Sequence, residues 1–281
     1  MTDSEKPIVS IVMPTYNRGR LIEKSVESVL KQTLKAWELI IIDDASVDDT
    51  PKVLKELAAR DKRIIILRNE KNEFRQFGIM KTLNRGLETA RGRYIARLDD
   101  DDWWFNERKL EKQAAFLDAH PDYVVVGCGT VVFDKNGKEQ FRYLKKETDA
   151  ELRKSALSAN PFTHTAVMFR ADVAAKVGRY QGMYIEDWDL WLRMGLHGKF
   201  YNFQEYMTGY TMSPANYSFI HQRALSRTVL RLLYRHRHDY PGYPKAYLVN
   251  LAQYLYSFVP MPLSLRVWLR THLGQIKRKL L

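Results

Sequence analysis

A single cysteine, Cys128, occurs in 281 residues. That scarcity excludes a disulfide framework and a cysteine-based zinc site. The opening "MTDSEKP" lacks the charged-then-apolar pattern of a secretory leader, so a cytoplasmic protein is the expectation. Long membrane-spanning runs are missing too. Residues 246–265 carry no charge, yet Asn250, Gln253, Pro260 and Pro262 make them a poor span. No glycine-rich phosphate turn follows the first apolar run, which ends in "PTYNR", and "GCGTVV" at 127–132 comes late and lacks a third glycine. Both points argue against a dinucleotide-binding oxidoreductase. Internal repeats and low-complexity linkers are absent. Acid is scarce in one place: from His221 to the end, Asp239 stands against eleven Lys and Arg, so this segment carries most of the net charge of +12.

What is present reads as a globular chain. Hydrophobic residues make up 45% and charged ones 28%, enough for one large domain with or without an extension. Apolar, Ile/Val-rich runs at 8–14, 38–43, 63–67 and 93–98 predict strands. Between and after them, 20–32, 49–60, 76–90 and 107–119 have helical spacing. Such alternation implies a parallel sheet covered on both faces. Further strands are predicted at 123–133, 165–169 and 199–203, with a helix over 186–198.

In sheets of this kind ligands bind beyond the carboxyl ends of the strands. Three polar segments sit at such ends: "PTYNR" (14–18), "DDAS" (43–46) and "DDDD" (99–102). Four adjacent carboxylates repel one another unless they are exposed or share a cation. If the run is extended, alternate side chains face one way, so Asp99 and Asp101 converge. Two carboxylates leave room on a hard divalent cation, Mg2+ or Mn2+, for water and phosphate oxygens. A nucleic-acid binder would explain the basic tail but not these acids, which repel phosphate, and no nucleic acid is expected as a partner. A nucleotidyltransferase would use the same metal logic, but "PTYNRGR" is a weak substitute for its glycine- and lysine-rich loop. A non-catalytic nucleotide-binding scaffold is a further alternative.

Taken together, "VSIVMPTYNR", "ELIIIDDASVDDT", "GRYIARLDDDD" and "EDWDLWLR" resemble, in order and spacing, the inverting nucleotide-sugar glycosyltransferases of family 2. The likeness covers roughly residues 8 to 212. It implies the GT-A fold, a Rossmann-like, mostly parallel α/β sheet flanked by helices. The implied catalytic domain spans 1–216, with a nucleotide-binding half over about 8–120 and an acceptor half over about 121–216. Residues 217–281, which the likeness does not cover, read as a basic helical extension.

The resemblance also implies roles. Pro14, Thr15 and Tyr16 would line the nucleotide base, with Asn17 and Arg18 beside them. Asp44 would accept an N–H from the base while Asp43 supports the turn. Asp101 would ligate the metal, Asp99 would face the ribose or the metal, and Asp100 would share either task. Asp187 would be the catalytic base, with Glu186 and Asp189 as alternatives. Arg75, Lys81, Trp103, His164 and Glu186 are candidates for donor or acceptor contact. Trp103, Trp104 and His164 fit a core role equally well, and Arg193 fits an ion pair. Glu73 and Leu83 depart from the family pattern, so the diphosphate contact on that side is open. Partners would be a nucleotide-sugar donor and a glycan or lipid-linked acceptor.

The extension has a basic ridge at Arg223, Arg227, Arg231 and Arg235, four residues apart. Leu265, Trp268, Leu269, Leu273, Ile276 and Leu280 follow at helical spacing beside Arg266, Arg270 and Lys277 to Lys279. An amphipathic basic segment of this kind lies on an anionic membrane surface or packs on its own domain. A peripheral location on the inner face of the cell membrane is therefore the expectation.

Overall fold

The computed structural model describes residues 6–212 and 222–259. Four parallel strands begin the sheet: β1 (Val9–Thr15), β2 (Trp37–Asp43), β3 (Ile64–Arg68) and β4 (Tyr94–Arg97), in spatial order β3-β2-β1-β4. Strands β1 and β2 are buried throughout because both faces are covered. Alternation divides their side chains. Leu39 and Ile41 join one core cluster with Ile11, Met13 and Ile22; Ile40 and Ile42 join the other with Val12 and Trp191.

Helices α1 (Gly19–Leu30) and α2 (Thr50–Arg60) connect the first strands. The helix expected over 76–90 is divided into α3 (Phe74–Phe77) and α4 (Met80–Thr89). Gly78 causes the break: its φ of +62° is a left-handed conformation that glycine adopts without a Cβ clash. Gly86 on α4 lets that helix close onto the sheet, since a Cβ there would meet Val12 and Ile42 side chains at 2.6 and 2.8 Å.

Beyond β4 the sheet becomes mixed. A two-residue strand, β5 (Trp103–Trp104), precedes α5 (Lys109–Ala119), β6 (Tyr123–Phe133), β7 (Glu139–Tyr143) and α6 (Asp149–Ser155). Then come β8 (Met168–Arg170), α7 (Ala171–Lys176), α8 (Glu186–Gly195) and β9 (Lys199–Thr211). Strand β8 runs antiparallel to β4 and β6, β6 is parallel to β9, and β5 and β7 pair antiparallel with β9 and β6. The expected strand over 165–169 is half 3-10 turn, at His164–Ala166, and β8 starts only at Met168.

The described part of the extension is two helices, α9 (Gln222–Arg235) and α10 (Tyr243–Tyr256). Val229, Leu232, Leu233 and Tyr240 enter the same core cluster as Trp191 of α8. Burial of each aliphatic side chain contributes about 1.5–3 kcal/mol, so these contacts hold the helices on the domain. The Tyr240 hydroxyl donates to the Leu192 carbonyl at 2.8 Å, and Arg235 pairs with Asp189 at 3.0 Å. Arg223, Arg227 and Arg231 form the exposed ridge. The amphipathic stretch from Leu265 to Leu280 lies outside the described residues. Among those that are described, no helix is long and apolar enough to cross a membrane.

Candidate active site

The carboxyl ends of β1, β2 and β4 meet the start of α8 around one cavity of about 540 Å³, a volume typical of small-molecule sites. Its wall includes Pro14, Thr15, Tyr16 and Arg18 after β1, Asp44 after β2, Asp99 to Asp101 after β4, and His164, Glu186 and Asp187 from the second half.

The loop after β1 is braced against the loop after β2. Asn17 has φ +53°, which asparagine tolerates better than most residues. Its backbone N–H donates to Ser46 Oγ, and its side-chain oxygen accepts from the Val47 N–H. Asp43 supports the turn by accepting from the Ser46 N–H at 2.8 Å and from Arg68 at 2.7 Å. Asp44 reaches the cavity wall, but its two oxygens already accept four hydrogen bonds from Asn69, Thr82 and the Glu73 and Phe74 N–H groups. It therefore holds the α3 segment against the sheet.

The four aspartates are not extended. The Asp102 N–H donates to the Asp99 carbonyl at 3.3 Å, closing a turn. The side chains therefore do not alternate: Asp99, Asp100 and Asp101 in succession line the cavity, Asp100 largely and Asp102 fully buried. Asp102 accepts from the Thr211 N–H at 2.8 Å, and the Thr211 hydroxyl donates to the Asp101 carbonyl. Burial pushes Asp100 up to about 7. Burial and the neighbouring Asp99 push Asp101 up to about 6, and burial raises Asp102 well above the usual carboxylate range.

Beneath the turn lies Arg97, fully buried. Its guanidinium donates to the Val12 and Leu98 carbonyls and pairs with Asp99 at 2.5 Å. No motif marks Arg97 in the sequence. Its signal was a charged residue at a position whose strand pattern demands burial, and a buried guanidinium needs partners.

Across the cavity, Glu186 and Asp187 open α8. Burial and the adjacent Asp187 raise Glu186 to about 7; burial raises Asp187. Asp187 Oδ1 accepts from the Trp188 N–H and Oδ2 from Asn160 Nδ2, each at 2.7 Å. Asp189 is occupied elsewhere, pairing with Arg193 at 2.7 Å and Arg235 at 3.0 Å. His164 lies 2.9 Å from the Tyr180 hydroxyl, and burial, aided by Arg97, holds its pKa well below the usual histidine value.

Other expected contacts lie elsewhere. Trp103 packs between Lys24, Phe133 and Gly209, and Trp104 is core. Lys81 pairs with Glu73 at 2.9 Å, away from the lining. Arg75 is on α3, its side chain outside the described residues. Tyr184, Tyr210, Thr211 and Leu225 line the cavity without any sequence signal.

Among the described residues, no three His, Cys, Asp or Glu side chains close around a point that could hold a metal by themselves. The donor set nevertheless suits a divalent cation. Asp99, Asp100 and Asp101 supply hard oxygens, two of them with raised pKa values that a cation would reverse, and phosphate oxygens and water would complete the shell.

The profile of glycosyl transferase family 2 matches residues 10–178. EpsE of Bacillus subtilis (strain 168) is 38% identical over 216 residues, covering 75% of this chain and 72% of EpsE. The UDP-Glc:alpha-D-GlcNAc-diphosphoundecaprenol beta-1,3-glucosyltransferase WfaP of Escherichia coli is 32% identical over 174 residues, covering 50% of this chain and 66% of WfaP. Among solved structures, the mannosyltransferase PcManGT from Pyrobaculum calidifontis, in complex with GDP-Man and Mn2+, superposes with a TM-score of 0.63 at 17% identity. That match covers 98% of this chain and 83% of PcManGT.

Proposed function

Because the chain belongs to glycosyl transferase family 2 and has the GT-A fold, we propose that it is an inverting, metal-dependent enzyme that moves a sugar from a nucleotide-diphosphate donor, UDP-linked by preference, to a hydroxyl of a glycan or lipid-linked acceptor in surface polysaccharide synthesis. The observation that carries this reading is the meeting of the Asp99–Asp101 turn with the Glu186–Asp187 helix start at one cavity.

Asp187 takes the proton of the acceptor hydroxyl while that oxygen attacks the anomeric carbon from the face opposite the diphosphate. The bond from that carbon to the diphosphate breaks, and the single displacement inverts the centre. General-base assistance of this type is worth about 10²–10⁴-fold. Its raised pKa suits a group that must accept a proton near neutral pH. Asp101 and Asp99, with Asp100 beside them, would hold Mg2+ or Mn2+, which when bound supplies positive charge against the leaving diphosphate. Tyr16 stacks on the base, and Pro14 and Thr15 border it.

Catalytic duty falls on residues 1–216, divided near 120 into donor and acceptor halves, and the 217–281 extension, whose helix α9 packs on that domain and brings Leu225 to the cavity, serves membrane attachment. The exposed Leu248, Leu255 and Phe258, the last under the Arg223 guanidinium at 4.9 Å, support a peripheral position on an anionic inner membrane face. WfaP, named for a UDP-sugar and a diphosphoundecaprenol-linked acceptor, supports the donor and acceptor classes. PcManGT, bound to GDP-Man and Mn2+, supports the metal and leaves the base to experiment.

The test is calorimetric titration of UDP, GDP and dTDP, each with Mn2+ and with EDTA, on wild type and Asp101→Asn. One nucleotide should bind tightly, and only with both metal and Asp101. Absence of metal-dependent binding for all three would sink the metal–diphosphate reading.

A further inference from the structure

Asn160 lies in the segment between α6 and the 3-10 turn, outside every motif that points to the site. Its side chain is held from both ends. Oδ1 accepts the Phe162 N–H at 3.1 Å, and Nδ2 donates to Asp187 Oδ2 at 2.7 Å. Its carbonyl accepts Lys145 Nζ at 2.6 Å, so the backbone is tied as well. The Phe162 N–H decides which way the amide faces: the flipped amide would set N–H against N–H there and oxygen against carboxylate at Asp187.

We propose that Asn160 is a positioning residue for Asp187, locking the plane of its carboxylate so that the remaining lone pairs face the acceptor hydroxyl. The second anchor is the Trp188 N–H on Oδ1. With one fixed donor on each oxygen the carboxylate cannot rotate about its last torsion. An amide suits this task because it stabilises the anion yet has no proton to surrender, so it never competes with the acceptor for the base. Lysine or histidine at this place would add a titration of its own. This inference rests on Asp187 being the base.

Charged and titratable groups face Asp187 from each side. Glu186 precedes it on α8, Lys145 approaches from the segment after β7, and Tyr180 stands in the loop before α8. Arg97 and Asp99 act on Glu186 from across the cavity. Loss of the Asn160 donor leaves burial less opposed, so the base protonates at higher pH.

The experiment compares Asn160→Ala, Asn160→Asp and Asp187→Asn with wild type by the pH profile of kcat, by donor KM and by calorimetric binding of UDP with Mn2+. Asn160→Ala should lower kcat about tenfold and move the acid limb up by about one pH unit, with donor KM and UDP binding unchanged. The near-isosteric Asn160→Asp, which keeps the shape should alanine fail to fold, should move the limb further, because a second carboxylate then faces Asp187. A fall in kcat with an unmoved acid limb in both variants would overturn the positioning role. Asp187→Asn decides the underlying reading separately: near-complete loss of turnover with UDP binding retained upholds the base, and retained turnover removes it.

Discussion

Two acidic clusters face each other across the cavity, and they are relieved in different ways. Asp99 to Asp102 occupy a turn at the end of β4, with the buried Arg97 guanidinium beneath Asp99. Glu186, Asp187 and Asp189 occupy the first turn of α8, where the helix N-terminus favours negative charge and Asn160 supplies a neutral donor. The turn directs three neighbours into one space. The helix spreads its acids around an axis, so Asp189 leaves the cavity for Arg193 and Arg235. One cluster gathers three carboxylates at one wall of the cavity. The other leaves Glu186 and Asp187 together at the cavity and takes Asp189 out of it.

The sharpest way to break this contrast is to neutralise members of the first cluster one at a time. Asp101→Asn should reduce Mn2+-supported turnover by about a thousandfold, in the range of a lost metal-assisted step. Asp102→Asn should cost less than about tenfold, since burial already favours the protonated form of that side chain. Turnover assays at saturating donor would read both. Equal losses would mean that the four aspartates act as one undivided charge and that the turn does not sort them.

Removal of the buried cation is the next largest expected effect. Arg97→Met leaves Asp99 without its partner beside Asp100 and Asp101, and should lower folding stability by about 3 kcal/mol. Urea denaturation measures it. Added Mn2+ with nucleotide should restore part of the loss if the turn is where they bind.

Stability also depends on pH. The folded-state values of Asp100, at about 7, Asp101, at about 6, and Glu186, at about 7, lie above those of an unfolded chain. The folded protein therefore binds more protons between about pH 4 and 7, and its stability falls as pH rises through that window. Thermal unfolding without metal should show Tm declining from pH 5 to pH 7.5. With Mn2+ and the cognate diphosphate the decline should flatten, because bound cation favours the ionised forms. A Tm that climbs with pH in the absence of metal would contradict the burial of these carboxylates.

Much of the first half could be read in advance. Uninterrupted Ile and Val runs announce strands buried on both faces, and polar residues at their ends announce the rim where a ligand sits. Legibility declines after β4 for physical reasons. Trp103 and Trp104 form a strand only because β9 lies beside them at Thr208 and Gly209. The 76–90 helix divides at Gly78, whose left-handed φ no hydrophobic periodicity announces.

What the sequence by itself determined is the alternation of strands and helices, the residue types at the strand ends and the excess of base in the tail. These follow from local periodicity and composition, which need no knowledge of what packs where. Only the tertiary structure decided that the aspartate run is a turn, that Arg97 lies beneath it, that Asn160 meets Asp187 across 27 positions, and that Leu225 of the tail helix lines the same cavity. Those relations join segments distant in the chain, and they exist because burying two apolar faces of one sheet forces its polar ends together.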